Sequence, residues 1–159
     1  MIMKRNRLFA LILNTALVLS LLTACGGKKE EKQVDLPELW SSMEESLELP
    51  AMMEVDDDAL DFLYGIDAAD LESYVGRFPM MNVHATEFFM AKVKDGKMND
   101  VKKALETRQS NLDQQWSQYL PDQYALVKNY KLVVNGNYVL FCVCEDADTV
   151  VDLFNDATA

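Results

Sequence analysis

The segment that most constrains the fold is Tyr130–Glu145, in which two β-rich runs flank Asn135-Gly136. An Asn-Gly pair accepts positive φ at both central positions of a type I′ turn, whose twist matches that of the adjoining strands. A turn centred there pairs Leu132 with Val139 on one apolar face. The pattern predicts a β-hairpin with a face that is apolar enough to pack against a helix.

Strand and helix patterns alternate from Tyr74 to the C-terminus. The predicted strands are Tyr74–Met80 and Thr86–Val93, followed after Asp95-Gly96 by a long helix that stops before Pro121. A short helix Pro121–Lys128, the hairpin and a closing helix Asp146–Asp156 come next. We therefore predict an α+β domain with a four-stranded antiparallel sheet, built from two tandem ββα units with the helices mainly on one face. The repeated order also suggests a weak internal duplication.

N-terminal helices are predicted to precede these units. Asp35 is placed to cap a helix, because Pro37 falls in the first turn and Glu38 lies three residues further on. A shorter helix ends at Gly65, a residue suited to a helix C-terminus, and Asp67 is placed to cap a further turn. We expect these helices to cover an edge or one end of the sheet.

The first 24 residues have the layout of an export signal. Basic residues without any acidic ones precede the apolar run Leu8–Leu22, which is shorter than the roughly 20 residues that span a bilayer. The run ends in Leu22-Thr23-Ala24-Cys25, which matches the lipobox of bacterial lipoproteins. This motif predicts cleavage before Cys25 and acylation of its thiol, with palmitate as a typical acyl chain. An uncleaved membrane anchor and a chance cysteine are the alternatives.

The predicted organisation has three parts. Residues 1–24 are a lipoprotein signal peptide, residues 25–34 are the lipidated cysteine and a flexible charged tether, and residues 35–159 are a single α+β domain. Lipid on Cys25 would hold the chain at the extracytoplasmic face of the cell membrane.

The predicted mature chain is strongly acidic. Removal of residues 1–24 leaves 12 basic and 26 acidic residues, and so a net charge of −14. Such a surface is repelled by phosphate backbones, which disfavours nucleic acid as a partner. A cell-envelope protein or peptide and the membrane, through the lipid on Cys25, are the partners that we expect.

Residues able to do chemistry are few. The single histidine, His84, lies in a predicted turn and has no nucleophile-elbow sequence to accompany it. Cys142 and Cys144 share one face of a strand, which is poor geometry for a mutual disulfide. We interpret them as buried core thiols, with redox or soft-metal use as the alternative.

Carboxylates form the other candidates. Asp56-Asp57-Asp58 with Asp61 lacks the oxygen spacing of a calcium loop, and Asp146-Ala147-Asp148 is better explained by capping and charge at a helix N-terminus. Glu87 beside two phenylalanines is expected at an edge position that faces solvent, although a buried and perturbed carboxylate is the functional alternative. We predict no catalytic residue, no metal site and no cofactor.

Four stretches carry a resemblance to a known family: Leu63–Asp67, Ala85–Phe89, Tyr119–Tyr124 and Val134–Val139. On these the chain resembles the small lipoproteins of Gram-positive bacteria that contain the domain of unknown function numbered 4358. The likeness covers roughly Met52 to Phe154. It implies surface attachment and one compact domain, and it carries over no activity and no catalytic residues.

These observations favour a non-enzymatic binding or accessory module displayed at the cell surface. An apolar groove with a polar rim, on the sheet face away from the helices, would be its expected binding site. A small cell-envelope hydrolase that uses carboxylates and a metal-ion binder are the alternatives.

Overall fold

A five-stranded antiparallel sheet organises residues 33–159, the part of the chain that the computed structural model describes. The strand order is β1-β2-β3-β5-β4. The strands are β1 (Met52–Glu54), β2 (Leu71–Pro79), β3 (Glu87–Val93), β4 (Lys131–Asn135) and β5 (Tyr138–Val143). The helices are α1 (Leu36–Ser46), α2 (Asp57–Tyr64), α3 (Met98–Trp116), α4 (Pro121–Lys128) and α5 (Ala147–Thr158), with a 3₁₀ turn at Ala68–Asp70. The α+β class is confirmed. None of the helices within this range is long and apolar enough to cross a bilayer.

The prediction of four strands is wrong by one. β1 adds a fifth strand at the edge of the sheet, where Met52 lies opposite Pro79 and Glu54 lies opposite Arg77. Three residues show no recognisable alternation, so the local sequence has no strand signal to detect. Pairing with the longer β2 supplies the backbone hydrogen bonds that hold this segment extended.

The helices divide between both faces of the sheet, which corrects the prediction that they lie mainly on one. β3 and β5 are buried along their whole lengths. One apolar cluster joins the sheet to α2, α3 and α4, and the other joins it to α1 and α5. Successive side chains of a strand point to opposite faces, so a continuously apolar run such as Phe88–Ala91 requires cover on both.

The positions of the helices give no support to the suggested internal duplication. The two ββα units do follow one another, but α3 packs on one face through Val101 and Leu105. The closing helix α5 packs on the other face through Val150 and Phe154. Two copies related by symmetry within one antiparallel sheet would not place corresponding helices on opposite faces.

The C-terminal hairpin forms, but its register differs from the predicted one by two residues. Leu132 lies opposite Phe141 rather than Val139, and the two-residue loop is Gly136-Asn137. Gly136 has a φ of 57°, whereas Asn137 is not among the residues with positive φ. Positive φ at the first central position alone is the pattern of a type II′ turn. A shift of two residues preserves the side-chain parity, so Phe141 keeps its predicted face.

Contacts with α5 explain the new register. The side-chain amide of Asn135 donates to Asn155 Oδ1 at 2.8 Å and to Thr158 Oγ1 at 2.9 Å. These bonds place Asn135 within β4, although its own conformational preference suits a turn.

Three of the predicted caps are confirmed. Asp35 accepts a hydrogen bond from the Glu38 backbone N–H at 3.0 Å. Gly65 ends α2 with a φ of 64°, and Asp67 accepts from the Ala69 N–H at 2.8 Å. Capping depends on residues adjacent in the chain, which is why the sequence pattern predicts it well.

Candidate functional site

A cleft of about 490 Å³ opens between the end of α2, the connection from β2 to β3, and the C-terminal half of α3. We call it the α2–α3 groove. Its mouth carries three exposed apolar side chains: Phe62 is 86% exposed, and Met80 and Met81 are each 60% exposed. Large apolar side chains that are exposed together at a concave surface are typical of binding sites.

Local structure holds this mouth in place. Leu60 and Tyr64, which lie two residues before and two residues after Phe62 in α2, are buried in the core. The turn of the helix therefore directs Phe62 outward. The β2–β3 connection is tied at both ends. The Met80 N–H donates to the Ala51 carbonyl at 2.9 Å, and the Ala85 N–H donates to Gln123 Oε1 at 2.8 Å.

An ion pair forms the floor of the α2–α3 groove. Arg108 Nε lies 2.9 Å from Glu87 Oε1, and Arg108 Nη2 lies 2.6 Å from Glu87 Oε2. The side chain of Glu87 is 2% exposed and that of Arg108 is 14% exposed. Glu87 is therefore not at an edge facing solvent, as the sequence suggested, but buried at the start of the central strand β3. Its partner Arg108 lies 21 residues further along the chain, so the pair leaves no local signal in the sequence.

Tyr64 completes the buried polar group beneath the groove. The Arg108 guanidinium carbon lies 5.7 Å from the centre of its ring. Burial, followed by the negative charge of Glu87, raises the pKa of the Tyr64 hydroxyl. Burial alone would lower the pKa of Arg108, but its hydrogen bond and charge interaction with Glu87 outweigh this and raise it. Arg108 therefore stays charged and Tyr64 stays neutral through the neutral range.

Two buried donors near the groove lack a hydrogen-bond partner within the described residues. These are the hydroxyl of Tyr64, which approaches Glu87 without standard hydrogen-bond geometry, and the indole N–H of Trp116. Trp116 itself lines the groove. Such unpaired donors are rare in folded proteins, because each costs roughly 1–3 kcal/mol.

Three amide side chains also line the groove. Asn111 and Gln115 lie four residues apart on one face of α3, and Asn82 belongs to the β2–β3 connection. All three residues are exposed. No side-chain hydrogen bond ties these amides to other described residues, so their donors and acceptors are open to solvent or a ligand.

A smaller cleft of about 300 Å³ lies on the other side of His84, which lines both cavities. Its rim carries the exposed carboxylates of Glu48, Glu145 and Asp146, and Cys144 lies in its wall. Within residues 33–159 no three histidine, cysteine or acidic side chains converge as metal ligands would.

Cys142 and Cys144 are free, buried thiols on the same face of the sheet as Tyr138 and Leu140. Their placement agrees with the core interpretation. A hydrogen bond to Cys144 and burial raise the pKa of the Cys142 thiol, so it stays protonated. A protonated, buried thiol is a poor nucleophile and a poor metal ligand.

The aspartate runs have structural roles. Asp56 caps α2 by accepting from the Ala59 N–H at 2.8 Å, and Asp57 accepts from the Tyr74 hydroxyl at 2.6 Å. Asp146 occupies the N-cap position of α5 without a side-chain hydrogen bond, so the capping expected there is wrong. Its charge still lies at a helix N-terminus, where the helix dipole favours it.

The family model described as a domain of unknown function (DUF4358) matches residues 45–144. The chain belongs to this family. No curated protein and no solved structure matches it. All the residues that line the α2–α3 groove fall inside the matched region of the DUF4358 domain, whereas α5 and most of α1 fall outside it. The groove is therefore a feature of the family's own segment of this chain.

Cys25 and its lipobox lie outside the described residues. The groove residues of the DUF4358 domain were missed by the sequence analysis, apart from Glu87 and His84. The one signal available was Phe62, whose position between core residues of α2 is out of step with the apolar stripe.

Proposed function

We propose that this DUF4358 protein is a lipid-anchored, extracytoplasmic binding module of a Gram-positive cell envelope, and that the α2–α3 groove is its binding site. The exposed apolar mouth above a buried ion pair carries the proposal. A ligand that covers Phe62, Met80 and Met81 removes apolar surface from water. The rigid polar floor then orients what enters.

The position of the groove fits an anchored protein. The described chain begins at Gln33, whose side chain accepts from Lys92 Nζ at 3.4 Å near the end of β3. Glu87, in the groove, lies at the start of the same strand. Five residues of strand separate these ends by roughly 17 Å. A tether that joins the domain at Gln33 is therefore attached near the end of β3 that is remote from the groove.

A binding role is supported over catalysis by the groove's charged groups. Among the described residues, Glu87 is the only carboxylate that lines the groove, and both of its oxygens are held by Arg108. Hydrolysis with two carboxylates needs a second acid within about 10 Å on the other side of the substrate. The carboxylates of the smaller cleft, Glu48 and Glu145, are exposed and lack the burial that commonly adjusts a general acid.

Lipid attachment is tested by Cys25→Ala in the producing cell. Labelled palmitate should enter the wild-type chain and not the variant, and the variant should accumulate at the mass of the precursor. Conversion of Cys142 to alanine provides the matched control, since a buried core thiol should not affect labelling. Label that persists in Cys25→Ala would contradict the anchor.

The binding site is tested by placing the photo-reactive residue p-benzoylphenylalanine at position 62 in the full chain in cells. A discrete cross-linked adduct should form there and should weaken when Met81→Asp is added. The same probe at Val134, an exposed position on β4 that is 39% accessible, is the control. Equal adducts at both positions, or none at position 62, would contradict a binding role for the groove.

A further inference from the structure

The side chains around the α2–α3 groove specify one class of ligand. Resting on the proposed function, we infer that the groove binds an extended peptide segment of another envelope protein, with an apolar side chain in the mouth and basic residues beside it. Three independent observations lead to this ligand: the apolar mouth, the free amides and the charge.

The free amides favour a peptide over a hydrocarbon. Asn82, Asn111 and Gln115 each offer a donor and an acceptor, which is the pair of groups that an extended peptide backbone requires. A fatty acyl chain would bury these groups without satisfying them, at a cost in binding free energy.

The charge around the mouth favours a basic sequence. Residues 33–159 contain 24 acidic and 9 basic residues, and seven of the nine basic side chains form ion pairs with acidic ones. Asp58 is exposed and lies four residues before Phe62, on the same side of α2. The lining has no net charge of its own, because Glu87 and Arg108 neutralise one another. Lysine or arginine beside the apolar anchor would meet the charge of Asp58.

The test begins with selection of random 12-residue peptides on the purified full chain in detergent. Enriched sequences should combine one bulky apolar residue with neighbouring lysine or arginine. Fluorescence polarisation with one enriched synthetic peptide should then show affinity losses of about tenfold for Phe62→Ala and for Asn111→Ala with Gln115→Ala. Asp58→Asn should lower the affinity severalfold and reduce its dependence on salt.

Matched controls come from exposed residues that do not line the groove. Val134→Ala, Gln114→Ala and Asp152→Asn repeat the three kinds of change and should leave the affinity unaltered. All these positions are exposed, so circular dichroism should show an intact fold in every variant.

Two failures are distinguishable. Acidic peptides or palmitate micelles could bind in place of basic peptides, with binding that still depends on Phe62. That result would overturn the peptide inference but retain the groove as a binding site. Enriched peptides whose affinity ignores every groove variant would overturn the groove itself, and with it the proposed function. Self-association of the chain that Phe62→Ala abolishes, without any peptide binding, would replace the peptide by a second copy.

Discussion

Breaking the buried ion pair between Glu87 and Arg108 should lower the free energy of unfolding. The loss should be larger for the substitution that leaves the more deeply buried charge unpaired. The substitution Arg108→Met keeps most of the aliphatic stem and removes the charge, leaving the carboxylate of Glu87 stranded at 2% exposure. Removing one partner of a buried pair costs about 3–5 kcal/mol of unfolding free energy. Glu87→Gln leaves behind a guanidinium that is 14% exposed and still reaches the groove, so it should cost less, about 1–3 kcal/mol.

The paired replacement isolates the interaction. Glu87→Leu combined with Arg108→Met removes both charges and leaves apolar side chains of similar size, so its stability should lie within about 1 kcal/mol of the wild type. Coupling of this strength appears as strong non-additivity in a double-mutant cycle. The surface pair Lys102 and Glu106, whose side chains are about half exposed, is the matched control and should be worth under 1 kcal/mol.

Urea unfolding followed by tryptophan fluorescence measures these differences. With a slope of 1–3 kcal/mol per molar urea, Arg108→Met should lower the midpoint by roughly 2 M. The reasoning fails if Glu87→Gln proves more damaging than Arg108→Met, or if the double replacement is as unstable as the two single changes added together.

Three further predictions concern individual buried or hydrogen-bonded residues. Gly76→Ala places a Cβ 2.6 Å from both Cβ and Cγ2 of Val55, so it should cost about 1–3 kcal/mol in urea unfolding; an unchanged midpoint would mean that β2 and Val55 separate without cost. Asn135→Ala removes both hydrogen bonds to α5 and should cost about 1–3 kcal/mol; unchanged stability would mean that these bonds do not set the hairpin register. The raised pKa values of Cys142 and Tyr64 keep both groups protonated in the folded state, while the unfolded chain releases these protons above about pH 8.5 and pH 10. The free energy of unfolding should therefore fall as the pH rises above about 8.5, by about 1.4 kcal/mol per pH unit for each group. Melting temperatures measured in reductant at a series of pH values check this, and Cys142→Ala should remove the decrease between about pH 8.5 and pH 10.

The sequence predicted those parts of the fold that depend on near neighbours in the chain. The caps at Asp35, Asp67 and Gly65 follow from hydrogen bonds that span two to four residues. The bounds of α4, Pro121–Lys128, were also predicted, since Pro121 defines where a helix can begin.

Prediction failed where one segment depends on a distant one. β1 is a strand because β2 lies beside it, and the hairpin register depends on α5. The continuous apolar run of β3 was visible in the sequence. The helices were nevertheless predicted mainly on one face, because nothing local indicates which helix packs on which side of the sheet.

The candidate site follows the same division. From the sequence alone come the predicted anchor at Cys25, the acidic charge, the likeness to the DUF4358 family and the absence of any recognisable catalytic motif. The tertiary structure alone brings Phe62, Met80 and Arg108 together around one groove. Lipobox recognition and charge are properties of a linear chain, whereas a groove exists only when side chains from α2, α3 and the β2–β3 connection converge, and their sequence separation leaves no pattern to detect.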